Sequence, residues 1–226
     1  MFSSKMDERD IARAGLEIQA IKLNPNNPFI WASGYRMPIY NDNRRFLFND
    51  DDRELVTDAF YDVIDGLPFS VIAGTSTAGI SWGALLAKRF GSGFVYIRDK
   101  PKDHGLRNQI EGIDAMSDLG GHNVIVIEDL ISTGESSAKA VQAIRNAGGV
   151  CNYCVSIFNY GLDKAIRAFG ELNPECNVKS LLTYDTLLRV ARETNYINDQ
   201  QEAMLAEWRA DPFGWGEKHG FLKVDR

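Results

Sequence analysis

The amino-acid sequence predicts an α/β fold: a central, mostly parallel sheet flanked by helices, with a small N-terminal hood. Three observations predict it. Short apolar runs at residues 70–74, 94–97, 124–127 and 150–158 read as buried strands. Stretches of helical spacing at 80–89, 135–147 and 162–170 alternate with them. That alternation implies a parallel sheet covered on both faces. Finally, two of the strand-like runs open directly into loops rich in Gly, Ser and Thr at 74–79 and 132–136, the usual ligand-binding ends of such a sheet.

The elements follow in order. Residues 7–23 carry apolar positions at helical spacing (Ile11, Ala14, Leu16, Ile18, Ile21) and predict an amphipathic helix. Asn24-Pro25-Asn26-Asn27-Pro28 breaks it. Residues 29–49 read as short and irregular, and 51–65 as helical. After the strand at 70–74 come a loop and a helix at 80–89, a strand at 94–97, and a charged stretch from Arg98 to about Glu111. The strand at 124–127 precedes a loop at 128–134 and a helix at 135–147; then follow a strand at 150–158, a helix at 162–170 and a last strand at 178–182. From 184 the chain reads as helical to Arg209, ending in an aromatic segment around residues 213–216. This divides the chain into an N-terminal hood (1–50), a core (51–190) and a C-terminal helical extension (191–226).

Composition narrows the function. The chain has 226 residues, 44% of them hydrophobic, enough for a packed core. A net charge of -6 argues against nucleic-acid binding, which calls for a basic stripe. An acidic protein that binds an anion must concentrate positive charge locally. No uncharged apolar run approaches the ~18 residues of a membrane span, and the first residues lack the apolar centre of a signal peptide. Three cysteines, an odd and sparse set, point to a reducing compartment. The expectation is a cytoplasmic protein. Cys151 and Cys154 have a C-x-x-C spacing, but three residues apart on a regular strand they face opposite sides and share no ligand.

Three loops carry the chemistry. In residues 124–136 a buried apolar strand delivers Glu128 and Asp129 to its C-terminal end, and Leu130 and Ile131 lead into the turn Ser132-Thr133-Gly134-Glu135-Ser136 at the start of a helix. Backbone N–H groups and hydroxyls at a helix N-terminus form a phosphate site. The two acids repel phosphate and suit hydroxyls, such as the diol of a ribose. One loop therefore reads as a grip for a sugar phosphate; the plainer alternative is a capped helix with incidental acids. A second loop, residues 96–107, gathers Arg98, Lys100, Lys102, His104 and Arg107, the local positive charge that an acidic anion-binder requires. Cations over a leaving group stabilise the charge that develops on it. The third loop, residues 73–80, with Thr75, Ser76 and Thr77, is a second small-residue strand-to-helix turn and a second candidate anion nest.

The stretch 124–136 resembles the phosphoribosyl pyrophosphate motif of type I phosphoribosyltransferases: four apolar residues, two acids, two apolar residues and a Thr-Gly-x-Ser turn. The resemblance implies that fold. It also implies that Glu128 and Asp129 hold the ribose hydroxyls, that residues 132–136 hold the 5′-phosphate, and that Thr75, Ser76 and Thr77 belong to the pyrophosphate loop. The run R-x-K-P-K-x-H-G from Arg98 to Gly105 resembles the catalytic loop of the orotate phosphoribosyltransferases, with Lys102 at the essential lysine and Arg98 and His104 as its partners. In that family the loop reaches into the neighbouring subunit, which implies a homodimer with shared sites. Asp99 stands where many members carry a second lysine, Ala78 where some carry a lysine, and Ala32 where a lysine meets orotate in others. Residues 28–44 resemble that family's hood, with its S-G-x-x-S/T-P-x-Y and D-N-R patterns, although Met37 replaces the small hydroxyl residue. The resemblance implies that Ser33, Gly34, Arg36 and Ser132 lie near the base. Implied catalytic residues are Lys102, His104 and Asp129. Mg²⁺ is the implied cofactor, held through substrate and water rather than by a dedicated carboxylate cage. The implied reaction joins orotate to phosphoribosyl pyrophosphate. Two rivals are a purine phosphoribosyltransferase and a non-catalytic regulator that binds the same sugar phosphate. Trp208, Phe213 and Trp215 read as packing or dimer contacts.

Overall fold

The computed structural model describes residues 7–99, 109–113 and 118–225. Lys100, Lys102, His104 and Arg107 lie outside the described residues. The chain divides into two compact units, one comprising Glu54–Leu181, the other Asp7–Arg53 with residues 182–225.

The first unit is built on a six-stranded sheet. Its strands are β5 (Val71–Thr75), β6 (Gly93–Ile97), β7 (Ile110–Glu111), β8 (Asn123–Ile131), β9 (Val150–Asn159) and β10 (Asn177–Thr183), in the order β10-β9-β8-β5-β6-β7. The neighbours β6, β5, β8 and β9 run parallel, and β7 is an antiparallel edge strand. Helices α2 (Asp50–Ile64), α3 (Ala78–Phe90), α4 (Glu135–Asn146) and α5 (Asp163–Gly170) complete the alternation. β5 is buried at every position, as a strand covered on both faces requires. Successive side chains point to opposite faces. Val71, Ala73, Val124 and Val126 share one core with Ala140, Val141 and Ile144 of α4. The intervening Ile72, Ile125 and Ile127 are fully buried on the other side.

The structure extends the sequence reading at the site. β8 does not end at Ile127 but continues through Glu128 to Ile131, because Glu128, Leu130 and Ile131 pair with Ser156, Phe158 and Asn159 of β9. The acidic pair therefore sits on ordered strand rather than on a loop.

Cys151 and Cys154 do not face opposite sides as their spacing predicts. Asn123 pairs with Val150 but Ile125 pairs with Tyr153, so β9 carries one extra residue there. Such a bulge reverses the strand's parity. Cys151 and Cys154 accordingly join the same core, together with Cys176. All three are buried and free.

In the second unit, α1 (Glu8–Glu17) is capped by Asp7, whose carboxylate accepts from the Arg9 N–H at 3.0 Å. The helix stops at Glu17 instead of running to 23. Gln19 adopts φ +57, and Ile21–Leu23 forms β1, pairing antiparallel with β4 (Ile39–Asn41). The apolar Ile21 and Leu23 satisfy a strand's period of two as well as the helical spacing. Residues 29–49 are likewise more regular than expected. They hold β2 (Phe29–Ile30), β3 (Arg36–Met37), which pair with each other, and a 3-10 helix, Asn43–Leu47. After β10, the stretch read as one helix to Arg209 is two, α6 (Tyr184–Glu193) and α7 (Asp199–Ala210), followed by the short α8 (Trp215–Lys218). The break lies at Asn195, with φ +55, and α7 restarts on a reciprocal cap. The Asn198 side chain accepts from Gln201 N–H at 2.9 Å, and the Gln201 side chain accepts from Asn198 N–H at 3.0 Å.

Candidate active site

The C-terminal ends of β5, β6 and β8 open on a cleft of about 570 Å³. Nine residues singled out in the sequence line it: Thr75, Ser76, Arg98, Glu128, Asp129, Leu130, Thr133, Glu135 and Ser136.

Thr75 ends β5 and is buried. Its hydroxyl donates to the Glu128 carboxylate at 2.7 Å and lies 3.2 Å from the Ile127 carbonyl. The loop beyond it is anchored by Ser76, whose N–H donates to the Ile97 carbonyl at 2.8 Å. The Ser76–Thr77 peptide is cis. Thr77 precedes α3. Close approach of α3 to the strand ends depends on Gly79, where a Cβ would stand 2.5 Å from both the Ile127 carbonyl oxygen and the Thr75 hydroxyl.

Glu128 is only 7% exposed. Ser137 donates to its second oxygen at 3.0 Å, and the Asp129 N–H donates to the first at 3.1 Å. Burial, reinforced by the neighbouring Asp129 carboxylate, pushes its pKa up to about 8. Glu128 therefore holds its proton well above the usual carboxylate range. Asp129 is more exposed and lines the cleft beside it.

The turn 132–136 leads into α4. Gly134 takes φ +75, and a Cβ there would stand 2.9 Å from the Ala165 Cα, so both the backbone angle and the space demand glycine. Glu135 and Ser136 form the exposed first turn, where the N–H groups of a helix start favour an anion. Ile131 is buried in the core beside α4, so it contributes backbone rather than side chain. Thr77, Ile131, Ser132 and Gly134 are not among the lining residues.

At the β6 end, Arg98 exchanges two hydrogen bonds with Gln109. The Arg98 N–H donates to the Gln109 carbonyl and the Gln109 side-chain amide donates to the Arg98 carbonyl, both at 2.8 Å. The Arg98 guanidinium also lies 3.4 Å from the Glu111 carboxylate. Sequence reasoning missed Gln109 and Lys139 as cleft-lining residues. Lys139 follows Glu135 and Ser136 by four and three positions, so helical spacing alone places it on their face of α4.

Ser33, Gly34 and Arg36 belong to the second unit. Ser33 is exposed, Gly34 is buried at φ +81, and Arg36 opens β3. Among the described residues no group of three His, Cys, Asp or Glu side chains is arranged to hold a metal ion. None of the described helices is long and apolar enough to cross a membrane.

A parallel sheet whose strand ends carry an acidic pair and two small-residue strand-to-helix turns on one cleft is the framework of a phosphoribosyltransferase, and the family model for the phosphoribosyl transferase domain matches residues 52–165. An orotate phosphoribosyltransferase of Cutibacterium acnes is 42% identical over 214 residues, covering 93% of this chain and 96% of the relative. One from Porphyromonas gingivalis is 42% identical over 215 residues, covering 91% and 96%. This chain belongs to the orotate phosphoribosyltransferase family. Solved structures agree on the fold. Leishmania donovani UMP synthase matches with a TM-score of 0.71 at 25% identity, over 89% of this chain and 42% of that longer one. Aeropyrum pernix orotate phosphoribosyltransferase matches with a TM-score of 0.69 at 24% identity, over 83% and 99%.

Proposed function

We propose that this chain transfers the phosphoribosyl group of phosphoribosyl pyrophosphate to orotate, giving orotidine 5′-phosphate and diphosphate for pyrimidine synthesis. N1 of orotate attacks C1 of the ribose and gives up its proton, which the departing diphosphate takes up. The bond from C1 to the pyrophosphate oxygen breaks, and its electron pair leaves with diphosphate. The observation that carries this reading is the Thr75–Glu128 hydrogen bond at 2.7 Å, which ties the ends of β5 and β8 together. It sets two anion-binding turns on one cleft, as a sugar bearing phosphate at both ends demands.

In this mechanism the N–H groups of residues 132–136 hold the 5′-phosphate and Thr75, Ser76 and Thr77 face the pyrophosphate. Asp129 accepts from the ribose hydroxyls. Glu128, braced by Thr75 and Ser137, stands beside it for the same hydroxyls, and its raised pKa lessens the negative charge that would repel phosphate. Arg98, Lys102 and His104 meet the charge that grows on the departing pyrophosphate. Ser33, Gly34, Arg36 and Ser132 recognise the base. Mg²⁺ serves as cofactor: Asp99 and Asp129 are oxygen donors of the right hardness on the cleft wall, and most of the ion's ligands come from substrate and water. When bound, it neutralises pyrophosphate charge. The enzyme works as a cytoplasmic homodimer whose catalytic loops cross between subunits.

The test is direct. The chain is incubated with phosphoribosyl pyrophosphate, Mg²⁺ and orotate, and the loss of orotate absorbance is followed; adenine and hypoxanthine replace orotate in parallel. Orotate consumption alone supports the reading, and a purine product or no product refutes it.

A further inference from the structure

Residues 31–37 form a tight turn. The Gly34 N–H donates to the Trp31 carbonyl at 2.9 Å, and the Trp31 N–H to the Tyr35 carbonyl at 3.0 Å. Ser33 stands exposed at the tip. A turn this short has little core of its own, and its conformation must be set by what packs on it.

What packs on it comes from nearly two hundred residues further along the chain. The Val224 N–H donates to the Gly34 carbonyl at 3.0 Å, and a Cβ on Gly34 would fall on the Val224 carbonyl oxygen. The Lys223 ammonium lies 4.5 Å from the centre of the Tyr35 ring, whose edge-on partner is Phe213 at 5.2 Å. Trp208, fully buried, donates its indole N–H to the Met37 sulfur at 3.0 Å and meets Trp31 edge-on at 6.2 Å. Gly216 lets α8 approach β3, since a Cβ there would stand 3.3 Å from the Arg36 carbonyl oxygen. Met37 thus has a structural cause: it supplies the sulfur and the volume that the Trp208 indole needs.

We propose that the segment from Trp208 to Val224 is a brace that positions the turn 31–37, and through it Ser33 and Arg36, for the base. Its members are positioning residues. This rests on the reading of residues 33–36 as the orotate-recognition turn. Loosening the brace should weaken orotate without touching phosphoribosyl pyrophosphate, whose proposed contacts all lie in the other unit.

The experiment measures KM for each substrate, kcat and thermal unfolding in the full chain and three variants. Val224→Pro removes the N–H that donates to the Gly34 carbonyl, in a partly exposed segment outside any helix or strand. Trp208→Phe keeps an aromatic ring but removes the donor to Met37. Val224→Ala retains the N–H and serves as the conservative control. Losing one such hydrogen bond should raise orotate KM roughly three- to tenfold in Val224→Pro and Trp208→Phe. The KM for phosphoribosyl pyrophosphate should stay at the parent value, and Val224→Ala should match the parent throughout. Unchanged orotate KM in both variants overturns the brace, as does an equal rise for both substrates, which general loosening would produce. A parent chain that neither binds nor consumes orotate removes the functional reading, and the brace falls with it; an active parent with unaffected variants removes the brace alone.

Discussion

The Thr75 hydroxyl and the Glu128 carboxylate, 53 positions apart in the chain, meet at 2.7 Å where two parallel strands end. Ser137 completes the arrangement from the first turn of α4. A carboxyl this buried is costly to ionise, and the adjacent Asp129 adds like-charge repulsion; together they push its pKa up to about 8.

That shift predicts a pH dependence of stability. An unfolded glutamate loses its proton near its ordinary value of 4.5, while the folded one keeps it to about 8. Between those values the folded state binds one proton more at this site, so Glu128's contribution to stability is full below 4.5 and declines as pH rises toward 8. The slope for one proton is about 1.4 kcal/mol per pH unit at most. Glu128→Gln removes the titration while keeping the shape. Urea unfolding at about pH 5 and pH 8, the two sides of that window, should show a smaller stability difference in the variant than in the parent. Equal differences would mean that Glu128 is ionised in the fold.

Gly134 concerns the neighbouring turn. Its φ of +75 opposes a side chain, and so does the Ala165 Cα, only 2.9 Å from where a Cβ would stand. Gly134→Ala should therefore strain the turn by about 1–3 kcal/mol. The strain should appear as a lowered Tm together with a raised KM for phosphoribosyl pyrophosphate, with orotate KM less affected. A variant with parent values for both would show that the turn neither needs this conformation nor holds the phosphate.

Asp129→Asn tests the ribose contact. Asparagine keeps the size and one acceptor oxygen but loses the charge. Hydrogen bonds to a charged group contribute about 1.5–3 kcal/mol, so KM for phosphoribosyl pyrophosphate should rise roughly ten- to a hundredfold. Isothermal titration of that substrate checks it without turnover. Parent affinity would place the diol elsewhere.

These residues were legible from sequence because their signals are local. The apolar run Val124–Ile127 followed by two acids and a Thr-Gly-x-Ser turn needs no partner strand to be read. Other features depend on distant partners. Ile21 and Leu23 fit a helix as well as a strand, and only pairing of β1 with Ile39–Asn41 decides for the strand. Glu128 and Asp129 looked like loop residues until β9 extended the ladder beside them. The common face of Cys151 and Cys154 comes from a bulge that no composition marks. Met37 looked like a departure from its family's pattern; its reason, Trp208, lies 171 positions away. Lys139 was within reach of helical spacing and was missed because the motif ends three residues before it.

Among the described lining residues of the cleft, Arg98 and Lys139 face Asp99, Glu128, Asp129 and Glu135. Even with Glu128 neutral, the acids outnumber the cations. Arg98 is further engaged by Glu111 at 3.4 Å. A pyrophosphate departing from such a wall needs positive charge from elsewhere, and the sequence offers it in Lys100, Lys102 and His104. Lys102→Ala should therefore lower kcat far more than it raises KM, because its partner is charge that appears only as the bond breaks. If the loop acts across a dimer, a mixture of Lys102→Ala and Asp129→Asn chains contains hybrids with one intact site. After subunit exchange, verified by mass, activity should recover toward a quarter of the parent's under random pairing, on the order of magnitude expected for shared sites. No recovery would mean that each subunit uses its own loop, and unchanged kcat in the Lys102 variant would move the leaving-group cation to another residue.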